Sequence, residues 1–131
     1  MINLKTNCII IHGCPSKEVD EQTTPQTRTY AKHWMQWTKR ELSVRGVETE
    51  IPLMPRPWEP EYEMFREEFE RYLVTKDTVL VGHSCGCSFL VRWLGETKRR
   101  IAKLVLVAPW NVAPENDTVR SAFYGYRLTL Q

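Results

Sequence analysis

Gly82-x-Ser84-x-Gly86 sets a hydroxyl between two residues without side chains, directly after the apolar run Val79-Leu80-Val81 and before a segment of helical periodicity. This is the pattern of a nucleophile elbow, in which the two glycines are expected to let the chain turn tightly enough to lift the Ser84 oxygen above a sheet. The triplet alone would arise by accident in about one chain of this length in a hundred, and the flanking strand and helix make accident rarer. A helix beginning directly behind Ser84 brings free backbone N–H groups and a partial positive charge, which favour the negative charge that builds on an attacked carbonyl oxygen. The chemistry expected is acyl transfer, with Ser84 as nucleophile and the N–H of Cys85 as one oxyanion-hole donor. His12-Gly13-Cys14 closes a second apolar run, Cys8 to Ile11, and the N–H of Cys14 is the candidate for the opposing donor.

These residues need a scaffold, and the rest of the sequence describes one. Cys8 to Ile11 reads as strand one. Pro25, with Thr24 as N-cap, opens a helix that carries Ala31, Trp34, Met35, Thr38 and Leu42 on one face and ends at a left-handed Gly46. Val47 to Ile51 alternates as strand two, stopped by Pro52, Pro55 and Pro57. Pro60 opens a second helix with Tyr62, Phe65, Phe69, Tyr72 and Leu73 on its core face. Val79 to Val81 is strand three, followed by a helix with Phe89, Leu90, Trp93 and Leu94 inward; Ile101 to Ala108 is strand four, ended by Pro109. Beyond Pro114 and Asn116 no clear period remains.

Strands joined by helices run parallel, so the fold class is α/β: a three-layer sandwich around a parallel sheet. Right-handed crossovers give the strand order 2-1-3-4, with the first helix on one face and the next two on the other. The strand C-termini, where Cys14 and Ser84 fall, then form the site.

The 131 residues suit a single domain, and 42% hydrophobic content argues for a folded core. Eighteen basic against sixteen acidic residues, spread evenly for a net charge of +2, argue against nucleic acid or an anionic membrane as partner. No run approaches the roughly 18 to 20 apolar residues of a membrane span, and the N-terminus lacks a signal-peptide pattern, so a cytoplasmic location is expected. Four cysteines in such a chain are expected to be reduced thiols with no structural disulfide.

Four segments together resemble the α/β-hydrolase superfamily, and within it the small serine hydrolases related to retinoblastoma-binding protein 9. They are Ile9-Ile10-Ile11-His12-Gly13, Met54-Pro55-x-Pro57-Trp58-Glu59-Pro60, Val81-Gly82-His83-Ser84-Cys85-Gly86 and Leu104-Val105-Leu106-Val107-Ala108-Pro109. The resemblance implies Ser84 as nucleophile, the N–H groups of Cys14 and Cys85 as the oxyanion hole, a small-molecule substrate with an ester or amide-like acyl group, and no cofactor.

An unactivated serine also needs a base, normally a histidine oriented by a carboxylate. The family pattern places acid and base after the elbow, yet the histidines here are His12, His33 and His83, and 23 residues follow Ala108. The expectation is therefore an N-terminal portion of the fold, lacking the later strands that carry acid and base. His83 should point away from Ser84; His12 with Asp117 offers an improvised pair; His33 falls on a solvated face. Two rival readings follow. One is a catalytically inactive, truncated hydrolase that serves as a binding or interaction module. The other is a metal site built from His12-x-Cys14 and His83-x-Cys85-x-Cys87, whose spacing is tighter than structural zinc sites use, so no metal is expected. An open strand-four edge would favour a homodimer, and Trp58 and Trp110 should border the pocket.

Overall fold

The computed structural model describes residues 6–17 and 34–127. Four strands, β1 (Asn7–Ile11), β2 (Glu48–Glu50), β3 (Thr78–His83) and β4 (Lys103–Val107), form one parallel sheet in the order β2-β1-β3-β4. The helices are α1 (Trp34–Val44), α2 (Tyr62–Phe69), α3 (Cys85–Thr97) and α4 (Thr118–Tyr124). The strand order is the expected one. Thr24, Pro25, Ala31 and His33, the start of the first expected helix, lie outside the described residues.

β1 is the sheet's centre, and its alternation feeds two cores. Cys8 and Ile10 face Met35 and Trp34 of α1, whereas Ile9 and Ile11 face the aromatic side chains of α2, α3 and α4. The helices thus divide between the faces as right-handed crossovers require. The second face is the heavier one. Phe89 packs against Tyr62, Phe65 and Phe69 with centroids 5.4 to 5.7 Å apart, and Phe69 meets Trp93 edge-on at 4.8 Å. Each such pair adds about 0.5–1.5 kcal/mol beyond its buried area.

Two elements depart from the expectation. α2 stops at Phe69, so Leu73 no longer falls on the helical stripe and is 71% exposed. α4 was not legible as a period because it is only 7 residues long; its start is fixed instead by Asp117, whose carboxylate accepts from the Arg120 backbone N–H at 2.9 Å, and its core contact is the single buried side chain Phe123. α1 ends as expected, with Gly46 at φ +80 and the Val47 N–H donating to the Leu42 carbonyl.

Candidate active site

Ser84 occupies the one-residue junction between β3 and α3, with φ 53 and ψ −119, a backbone geometry that side-chain-bearing residues seldom adopt. What holds it there is backbone on both sides. The Ser84 N–H donates to the Val107 carbonyl at 3.0 Å, the Trp110 N–H donates to the Ser84 carbonyl at 3.3 Å, and the Cys87 N–H closes the turn onto the same carbonyl at 3.1 Å. Ala108, at the end of the neighbouring strand, also has positive φ. Residues held in such conformations cluster at functional sites.

The glycines act differently from the expectation. Neither Gly82 nor Gly86 has a positive φ; the unusual turn is carried by Ser84 itself. Their contribution is space. A Cβ on Gly86 would collide with the Ile11 carbonyl oxygen and stand 2.8 Å from that of His12, and one on Gly82 would lie 2.8 Å from the Cα of Cys87. Glycine here lets the first turn of α3 lie directly on the end of β1, bringing Cys85 next to the loop of Cys14.

Cys14 and Cys85 are joined by a disulfide, with Cα atoms 6.0 Å apart. This overturns the expectation of four reduced thiols, which rested on compartment and core size and took no account of the two loops meeting. Cys8 and Cys87 are free and buried. Burial pushes the Cys8 thiol up to about 11, and it raises that of Cys87 as well, so both are poor thiolates. The bridge also removes two donors from the rival metal reading, and among the described residues no group of three or more His, Cys, Asp or Glu could hold an ion.

Neither amide N–H expected as a donor has a backbone partner among the described residues. Cys85 is the first residue of α3, where an N–H has no partner in its own helix, and no backbone carbonyl among the described residues accepts from Cys14 or Cys85. They border a cavity of about 200 Å³ lined by Cys14, Ser84, Cys85, Trp110, Arg120 and Tyr124 among others. That volume lies below the roughly 300–1,000 Å³ of drug-sized sites and suits a small acyl group. Trp110 borders it as expected; Trp58 does not, because it stands behind Arg120, whose guanidinium donates to the Trp58 carbonyl at 3.1 Å.

His33 lies outside the described residues, and the other two histidines contact other segments. His12 is 2% exposed; its Nε2 accepts from the Met54 N–H at 3.0 Å, which leaves Nδ1 to donate to the Gly13 carbonyl at 2.7 Å. Both ring nitrogens are used in holding the β1 loop against the Met54 segment, and the improvised His12–Asp117 pair is not formed. His83 turns toward the opposite face, edge-on to Trp34 at 5.8 Å. Asp117 is taken by the α4 cap and by Arg120 Nε at 3.3 Å.

Sequence reasoning missed Arg120 and Tyr124. Arg120 donates to the carbonyls of Trp58 and Cys14 and pairs with Asp117, so one cation fastens three loops around the cavity. The only signal was the Asp117-x-x-Arg120 spacing at the start of a helix too short to show a period.

A family model described as serine hydrolase matches residues 26–125. Over 80 residues the chain is 32% identical to a Bacillus subtilis (strain 168) protein described as "Putative hydrolase YdeN", an alignment covering 58% of this chain and 42% of that protein. The crystal structure of the ydeN gene product superposes with a TM-score of 0.74 at 24% identity over 95% of this chain and 62% of the other. The chain thus spans less than two thirds of the relatives it matches, and the solved structure establishes the shared fold.

Proposed function

The chain belongs to the serine hydrolase family, and from that premise we propose that Ser84 attacks the carbonyl carbon of a small ester or amide-like acyl substrate. The observation that carries this reading is the backbone of Ser84, held at φ 53 between β3 and α3 on the rim of the cavity. In the proposed reaction Ser84 Oγ adds to the carbonyl, the charge moves to the carbonyl oxygen, and the N–H groups of Cys14 and Cys85 donate to it. The α3 N-terminus adds its partial positive charge at the same point. An oxyanion hole of this kind is worth about 10²–10³ in rate per donor. The narrower relation to the retinoblastoma-binding protein 9 type is supported by the four motif segments and by nothing further.

His12 has both ring nitrogens engaged by backbone, and His83 stands edge-on to Trp34. This favours a second reading, a pocket of the same shape that binds acyl ligands without turnover. Labelling by a fluorophosphonate separates the two, because covalent capture needs an activated serine. Stoichiometric labelling, lost in Ser84→Ala, is the expected result; a folded chain that stays unlabelled would establish the binding module instead.

A further inference from the structure

We propose that Cys14 is a thiol-modification site inside the acyl pocket: a small-molecule thiol opens the Cys14–Cys85 disulfide at the Cys14 sulfur, stays attached there, and silences Ser84. The silencing rests on the hydrolase reading above; the exchange at Cys14 does not.

The two ends of the disulfide are unequal. Both cysteines line the cavity, but Cys85 is 2% exposed in the first turn of α3, whereas Cys14 is half-buried on the loop after β1. A thiolate entering that cavity finds Cys14 the less buried of the two, and the sulfur it then displaces is Cys85. A thiolate at a helix N-terminus is a stabilised one, and a thiol of low pKa leaves faster in exchange. The chain's other two thiols, Cys8 and Cys87, are buried and free, so the one oxidised pair among the described cysteines is the pair that flanks Ser84.

The step balances without a further oxidant. The incoming thiolate RS⁻ forms an S–S bond to Cys14 as the Cys14–Cys85 bond breaks, and the electron pair leaves on Cys85, which either stays thiolate or takes a proton from water. A second RS⁻ attacking the RS sulfur of the adduct releases RSSR and the Cys14 thiolate; two thiols are then oxidised and one disulfide reduced. The disulfide RSSR runs both steps backward. In the adduct, R lies in a cavity of about 200 Å³ that would hold the acyl group, and the link fixing the two oxyanion donors is cut.

The test uses the wild-type chain in glutathione and glutathione disulfide buffers of graded ratio, followed by maleimide trapping, intact mass and peptide mapping. One glutathione on Cys14, and none on Cys8, Cys85 or Cys87, is expected under native conditions. A bridge that opens only in denaturant, or an adduct on Cys85, overturns the proposal. Cys85→Ser should take glutathione from its disulfide about tenfold or more faster than Cys14→Ser, because the thiol left in the former is the half-buried one and that left in the latter is 2% exposed; equal rates overturn it as well. In the same samples, fluorophosphonate capture should fall about tenfold or more in the adduct-bearing fraction. Capture unchanged by the adduct removes the silencing and leaves the hydrolase reading standing. Capture absent in both states removes that reading and the silencing together, while exchange is still judged by mass.

Discussion

β3 and β4 are neighbours in register, Val81 opposite Val105 and Gly82 opposite Leu106, and nearly as apolar as each other, yet Val81 is 7% exposed and Val105 36%. β3 is paired on both edges and sandwiched between the two cores. β4 is an outer strand, and Leu106 at 40% exposure is followed by Trp110 at 56% and Val112 at 60%. The same kind of sequence is therefore core in one strand and surface in the next. Apolar composition marks a strand that ought to be covered; which neighbour covers it is a property of topology and of partners. The site sits on this boundary, since Ser84 ends β3 and is tied by hydrogen bonds to Val107 and Trp110 at the end of β4.

The contrast can be broken at its strong end first. Leu80 is fully buried in β3, so Leu80→Ala should cost about 2–5 kcal/mol by denaturant titration; a loss under 1 kcal/mol would mean that β3 is no better packed than β4. Gly86→Ala should follow, at about 1–3 kcal/mol, because the added methyl meets backbone of β1 that cannot rotate away. Val105→Lys on β4 should change stability by less than about 1 kcal/mol while lowering association of concentrated protein in light scattering. Association that persists in this variant would place the contact elsewhere.

The smallest effect is electrostatic. The Trp93 indole N–H donates to the Glu70 carboxylate at 3.1 Å and Arg66 Nε at 2.9 Å, and these hold its carboxyl below the ordinary value. A folded pKa below the unfolded one means the contribution is present above the ordinary carboxylate range and disappears as pH falls through the lowered value. Glu70→Gln should therefore be slightly less stable than wild type near neutrality and equal to it in strong acid, and a gap that widens on acidification would reverse the assignment.

What could be read from the sequence follows from range. The strands, their order and the Gly82-x-Ser84-x-Gly86 junction are written in runs of adjacent residues, where alternation and turn chemistry act locally. The engagement of His12 with the Met54 backbone and the grip of Arg120 on two loops depend on segments that meet only in the folded chain, whereas the Cys14–Cys85 bridge joins two loops the sequence sets opposite one another and was missed because cysteine state was read from composition. Leu73 shows a related limit: its spacing fits the stripe of α2, but the helix ends at Phe69, before the pattern does.

Arg120 carries one more consequence. Its bonds close spans of 106 residues to Cys14 and 62 to Trp58, and chain entropy penalises closures of that length until something else has brought the ends together. Contacts so distant in sequence slow folding, and the closure to Cys14 is longer than the 71 residues that separate the paired Asn7 and Thr78 of β1 and β3. The pocket walls are thus expected to take shape last, so a chain released before residue 120 could hold a formed sheet and Ser84 at its turn while still having no enclosed site.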